Sequence, residues 1–283
     1  MARSPQTFGV HPTPPSDNDR EQRLMWLTPR RVFYAGLLGA AGERSLGGHA
    51  VYVSRDGLPN RVRLGGGAWQ AGELIVVPPQ VPHRIESANP LVLNVLIEAE
   101  TVDAGALPQW LQHCGPVDAP EAQHRVRAAH AYLADLPAAR AGFGNQDFDA
   151  LFFGAALVPR PCDPRVQRVI DRIVAEPSAL LSAQACAADA GLSFSRFLHL
   201  FKAQTGMPFR AFRAWKRARS LLRHVRRASS LTDIALDAGY PDSTHFSHSI
   251  RRFYGLKPRA IFSGSRDLAI YRSSRSLAEA AAS

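Results

Sequence analysis

A repeat in its C-terminal half limits how this 283-residue chain can fold more than any other feature. Ala187-Ala188-Asp189-Ala190-Gly191 returns as Ala235-Leu236-Asp237-Ala238-Gly239, an offset of 48. One residue is inserted after Ser195 and Ser243, so Phe197/Phe246, His199/His248, Lys202/Arg251, Gly206/Gly255, Arg210/Arg259 and Ala211/Ala260 then match at 49. The same supersecondary unit occurs twice. Each copy reads as a short alanine-rich helix, a glycine able to take positive φ, a turn, and a second helix closed by another glycine. Ser193 and Asp242 stand where N-caps of the second helices belong, and Ser230 with Asp233 makes a capping box ahead of the second copy. A helix, a tight turn and a helix form the unit that sets its second helix in a DNA major groove, although ordinary αα-hairpins share the local signature.

Charge favours the nucleic-acid reading. Up to Pro159 there are 13 basic and 15 acidic residues, and beyond it 21 basic and 9 acidic. No acid lies between Asp189 and Asp233, where ten Arg or Lys occur. Such segregation fits a polyanionic partner. Pro159-Arg160-Pro161-Cys162-Asp163-Pro164 stops any helix and is read as a linker. Asp163 then caps a helix whose apolar stripe is Val166, Val169, Ile170, Ile173 and Val174. A longer helix from about Phe209 to Arg226, ~27 Å at ~1.5 Å per residue, buries Phe212 and Trp215 and joins the two copies. That length approaches the ~34 Å turn of DNA, so two recognition helices are expected to reach successive major grooves.

The N-terminal half has another texture. Residues up to about Arg23 are a Pro-rich polar tail. Arg31 to Leu38, Ala50 to Arg55, Asn60 to Leu64, Glu73 to Val77 and Leu91 to Ile97 read as short strands broken by Gly and Pro turns, which predicts a small barrel or sandwich. Val126, Ala129, Leu133 and Leu136 mark a flanking helix. Glu98 and Glu100 read as a solvated strand end. Cys114, Cys162 and Cys186 fit neither a disulfide framework nor a zinc site and are expected to be free thiols. No run approaches the ~20 apolar residues of a membrane helix, and the first twenty residues lack an apolar signal core, so a soluble cytoplasmic protein is expected.

Residues Pro164 to Ile261 resemble the DNA-binding domain of AraC/XylS-type bacterial transcription regulators. The resemblance rests on Ala187-x3-Gly191-Leu192-Ser193 with Phe201-Lys202-x3-Gly206, and on Ile234-Ala235-x3-Gly239-Tyr240 with Phe246-x-His248-x2-Arg251-x3-Gly255-x2-Pro258. It implies base-reading positions at Ser195, Leu198 and His199 in the first motif and at Ser243, Thr244 and His248 in the second. It likewise implies phosphate contacts from Arg196, Lys202, Arg251 and Arg252. His199, His248, Ile250 and Phe262 depart from the residues usual in that family.

Gly72-x5-Pro78-x-Gln80-x2-His83 is similar to a conserved stretch of the cupin barrel. A cupin enzyme would need about three histidines and an acid on a metal, and the barrel's first half supplies only His49. A sensor pocket lined by His49, Tyr52, Trp69 and His83 is therefore expected, with no metal, cofactor or catalytic residue. Phosphate-binding, dinucleotide, zincin and serine-hydrolase motifs are absent.

The resulting expectation has five parts: a tail over 1–23, an all-β cupin-like sensing and dimerising domain with flanking helices over 24–158, a linker over 159–164, an all-α DNA-binding domain with two helix-turn-helix motifs over 165–266, and a disordered tail over 267–283. The partners expected are double-stranded DNA, an unknown small-molecule effector, a second copy and RNA polymerase, with no membrane. Two alternatives share the sequence features: a cupin-type metalloenzyme with an accessory nucleic-acid-binding module, and a non-specific architectural DNA binder.

Overall fold

The computed structural model describes residues 23–38, 42–89, 91–136, 145–223, 230–264 and 269–272. Among the described residues there are ten strands, nine in the N-terminal half and the last near the C-terminus: β1 Leu24–Leu27, β2 Arg31–Leu37, β3 Gly48–Ser54, β4 Asn60–Leu64, β5 Trp69–Gly72, β6 Leu74–Val77, β7 His83–Glu86, β8 Leu91–Glu98, β9 Gly115–Pro116 and β10 Ala269–Arg272. Seven form a sheet in the order β10-β1-β2-β8-β3-β6-β9, and β5-β4-β7 form a second. Every pairing is antiparallel except β1 with β10.

The large sheet is buried on both faces, so its strands read as nearly continuous apolar runs. Side chains alternate with a period of two, and the two parities go to different cores. Phe33, Val51, Leu93, Val95 and Ile97 pack with Val126, Ala129 and Leu133 of α1 (Pro120–Ala134) and with Phe148 and Phe152 of α2 (Asn145–Phe153). Val32, Tyr52, Ile75, Val92 and Leu96 face the other way and share one core with the C-terminal helices. The two halves are therefore not separately packed.

Those helices are α3 Pro164–Ala175, α4 Ala183–Asp189, α5 Phe194–Thr205, α6 Phe209–Ser220, α7 Leu231–Asp237, α8 Ser243–Tyr254 and α9 Pro258–Gly264. Asp163 caps α3 by accepting from the Arg165 amide, and Val166, Val169, Ile170 and Ile173 are its buried stripe. α6 buries Phe212 and Trp215 completely. It is shorter than its periodicity suggests, because a 3-10 turn over Leu221–Arg223 follows Ser220, and 224–226 lie outside the described residues.

Five strands have no counterpart among those expected from the sequence: β1, β5, β7, β9 and β10. β5 has two exposed residues in succession, Gln70 and Ala71, and β7 alternates over only four residues. Residues 1–22, the bulk of the expected N-terminal tail, lie outside the described residues. Within the expected tail over 267–283, Ala269–Arg272 form β10. Tyr271 is buried there, and its hydroxyl donates to the carbonyls of Leu133 and Leu136. Four residues are too few to show a period. The linker is pinned as well: the Arg160 guanidinium donates to the carbonyls of Val102 and Gln204, and the Asp163 amide donates to the Gln204 side chain.

Candidate DNA-binding surface and interdomain cavity

Both helix pairs take the geometry that their local chemistry dictates. Ser193 accepts from the Arg196 amide and starts α5; Asp242 accepts from the Thr244 and His245 amides and starts α8. Gly206 and Gly255 close the two helices at φ 74° and 68°, a conformation that a side chain resists. The caps are 49 apart, so the inserted residue lies in the turn, between Gly239 and Asp242, and not after Ser195 and Ser243. Ser195 therefore matches Thr244, and Ser243 is the first residue of α8.

Phe197 and Phe201 of α5, and Phe246, Ile250 and Phe253 of α8, are buried. That fixes the opposite faces. Ser195, Arg196, His199 and Lys202 are exposed on α5, as are Ser243, Thr244, His248, Arg251 and Arg252 on α8. Leu198 is half-buried against the core instead, which leaves it less free than its neighbours to reach a base edge. His245 is exposed too, its Nδ1 2.9 Å from the Asp242 carboxylate.

Between the barrel and the second motif lies a cavity of about 430 Å³. Met25, Val32, Val92 and Leu96 form its apolar barrel wall, and Leu222, Tyr254, Leu256 and Ile261 the helical wall. Arg23, Tyr34, Arg44, Tyr52 and Asn94 supply the polar groups. Arg23 and Arg44 are buried, and Nε of Arg23 with Nε and Nη2 of Arg44 find no hydrogen-bond partner among the described residues. The Tyr34 hydroxyl donates to the Leu37 carbonyl, and burial pushes its pKa up to about 12.

Of the four residues expected to line a pocket, Tyr52 lines this one. His83 stands behind it. Its Nδ1–H donates to the Val81 carbonyl, which leaves Nε2 to accept from the Tyr52 hydroxyl at 2.9 Å. Burial lowers the pKa of His83 to about 4, so the ring is neutral near pH 7. His49 is buried on β3 outside the cavity lining, its pKa lowered to about 4 by burial and then by Arg160. Trp69 sits on the small sheet under the Arg61 guanidinium, 5.1 Å from its ring centre. Arg23 and Arg44 line a cavity between barrel and helices, whereas the sequence points to a pocket inside the barrel. Among the described residues, no three His, Cys, Asp or Glu side chains gather to hold a metal ion.

A second polar cluster joins the halves. Glu98 is not solvated: its Oε2 accepts from Trp215 Nε1 at 2.7 Å and Lys216 Nζ at 2.6 Å, and its Oε1 accepts from Arg219 Nε at 3.0 Å. Lys216 also donates to Glu100, and Arg219 to the carbonyls of Thr28 and Arg31. Burial alone would raise the Glu98 pKa, but Lys216 and Arg219 overturn this and hold it below the ordinary carboxylate range. Glu100 has one cation partner and is raised by burial. The alternation along β8 was the available signal, since Glu98 shares the parity of Val92, Asn94 and Leu96.

The comparisons with known proteins agree with this architecture. A helix-turn-helix domain family matches residues 186–263. Over 74 residues, 26% of this chain, the sequence is 34% identical to Invasion protein InvF of Salmonella typhi, and the match spans 34% of that relative's length. An apo ToxT variant from Vibrio cholerae strain SCE256 superimposes with a TM-score of 0.55 at 8% identity, covering 83% of this chain and 97% of its own. A second Vibrio cholerae ToxT structure gives 0.53 at 7% identity over 83% and 98%. These last two likenesses concern the fold. No described helix is long and apolar enough to cross a membrane. Residues 186–263 thus carry a helix-turn-helix domain, and most of the chain shares the fold of the two ToxT structures.

Proposed function

We propose that the chain binds a specific duplex site through both motifs, with α5 and α8 in successive major grooves, under the control of a small molecule in the interdomain cavity. The observation that carries the DNA reading is the matched pair of N-capped helices, each with its aromatic face buried and its polar and basic face exposed. Thr244 and His248 with Ser243 on α8, and Ser195 and His199 on α5, read base edges; Leu198 adds at most an apolar contact to a thymine methyl. Arg196, Lys202, Arg251 and Arg252 hold phosphates. In vitro selection from random duplex with the full chain tests this: two half-sites about one helical turn apart support it, and no enrichment refutes it.

The effector reading rests on the cavity. Unpartnered guanidinium atoms inside an apolar chamber suit a molecule that presents hydrogen-bond acceptors at one end and an apolar body at the other. Thermal shift against anionic and neutral panels, repeated on Arg44→Met, tests it; a shift that survives the substitution sinks the assignment. A second copy and RNA polymerase are the further partners of a cytoplasmic regulator of this kind.

A further inference from the structure

The cavity does not touch the two motifs equally. Its helical wall comes from Leu222 onward, in the 3-10 turn after α6, in α8 and beyond; nothing from α3, α4 or α5 lines it. The barrel loop beside it, residues 42–48, grips the same motif. Arg44 and Leu46 face the cavity, while the intervening Ser45 amide donates to the carbonyl of Arg252 in the last turn of α8 at 2.9 Å. Contact at either end of the loop is backbone-close. A Cβ on Gly42 would lie 2.1 Å from the Gly255 carbonyl oxygen, and one on Gly47 would lie 2.2 Å from Trp215 Cγ. Gly255 is the C-cap of α8, and Arg44 Nε and Nη2 sit beside it. The first motif is held elsewhere, by the Arg160 guanidinium on the carbonyls of Ala203 and Gln204 in the last turn of α5.

We infer that the 42–48 loop carries the state of the cavity to the second helix-turn-helix motif and not to the first. The inference rests on the cavity being the effector site, but it adds a direction. Anything that draws Arg44 into the cavity moves Ser45 by one residue's reach, and Ser45 is bonded to the end of α8. A packed interface passes such a shift on as a discrete change of neighbours, because the surrounding atoms leave no slack. One motif is tuned while the other stays anchored. The predicted outcome is a change in how half of the site is read.

The test uses the full chain and needs no ligand. Gly42→Val wedges the loop away from Gly255, Ser45→Pro removes the donated amide, and Val92→Phe fills the cavity from the barrel side. Amide hydrogen exchange should speed in the last turn of α8 by roughly two- to tenfold in the first two variants, the worth of one backbone hydrogen bond, with α5 unchanged. Val92→Phe should alter exchange in α8 and the loop only. Arg160→Ala is the reciprocal control and should loosen the end of α5 alone. On a duplex selected with the unmodified chain, the loop variants should change affinity through base substitutions in the second half-site and not the first. Equal changes in both motifs, or none in α8, overturn the inference. If no duplex is selected, the DNA reading fails while exchange still decides the coupling.

Discussion

Charge is buried at two places between the barrel and the helical half, and the two are treated differently. At the β8 end, two carboxylates meet two cations and an indole N–H, and Glu98 uses both of its oxygens. In the cavity, Arg23 and Arg44 have donors that meet nothing among the described residues. Both sites carry the desolvation cost of removing ions from water. The first offsets it internally and is complete as it stands. The second leaves it open, which fits the proposal that a ligand supplies the acceptor. Paired burial ties the two halves together, whereas unpaired burial leaves donors to which the proposed effector would bond.

The sharpest way to break this contrast is to remove the shared carboxylate. Glu98→Gln leaves Arg219 without an anion and Lys216 with Glu100 alone, and should cost about 3–5 kcal/mol, the usual loss when one partner of a buried ion pair goes. Trp215→Ala should cost about as much, since a fully buried indole packed 5.4 Å from the Phe253 ring is replaced by a void and the Glu98 bond disappears. Chemical denaturation of the full chain checks both; a change under about 1 kcal/mol in either would show that the halves do not depend on this cluster. The cluster also sets a pH window. Glu98 has a lowered folded pKa, so its contribution is present above the ordinary value of 4.5 and is lost as pH falls through the depressed one. Lys216 is raised above 10.5 by Glu100 and Glu98 despite burial, so its contribution is lost only in strong alkali. Glu100, raised by burial, gains on protonation and blunts the acid loss. Glu98→Gln should therefore destabilise most near neutrality and least below about pH 4, and a gap that widens in acid would reverse the assignment.

The cavity should answer with the opposite sign. Arg44→Met removes a buried cation with unmatched donors and fills similar space with an apolar chain, so stability should rise by about 1–3 kcal/mol, the cost of leaving such a group unsatisfied. A fall of that size would show that Arg44 is held by the protein and not kept for a ligand.

These two sites also show where the sequence was legible. The helical repeat could be read because its signals are local: Ser193, Ser230 and Asp242 cap as their types require, and Gly206 and Gly255 end helices as their φ demands. Glu98 could not be placed by type, since an acid at a strand end is normally wet. Only its parity with Leu96 and Asn94 pointed inward, and only the partner helix, 118 residues or more away in sequence, gave it cations. Tyr52 was found and Arg44 missed for the same reason. The cavity belongs to neither half, and nothing local to either specifies it.

Exposed charge completes the comparison, because without desolvation an unpaired cation costs little and can wait for a partner. Arg251 and Arg252 are such cations, on the face of α8 that also carries Thr244 and His248. If phosphates supply their anions, as proposed, Arg251→Ala should weaken all duplexes about equally and lower the slope of log K against log salt by about 0.9 for the one phosphate no longer neutralised. Thr244→Ala and His248→Ala should instead change which base pair is preferred at one position each, by about 1–3 kcal/mol. The four variants, with Arg252→Ala, are measured against every single-base change in the selected site. If His248→Ala lowers every affinity alike while Arg251→Ala alters base preference, α8 meets the groove rotated by about a third of a turn. The burial of Phe246, Ile250 and Phe253 limits that rotation, since turning the helix further would bring its own core face to the DNA.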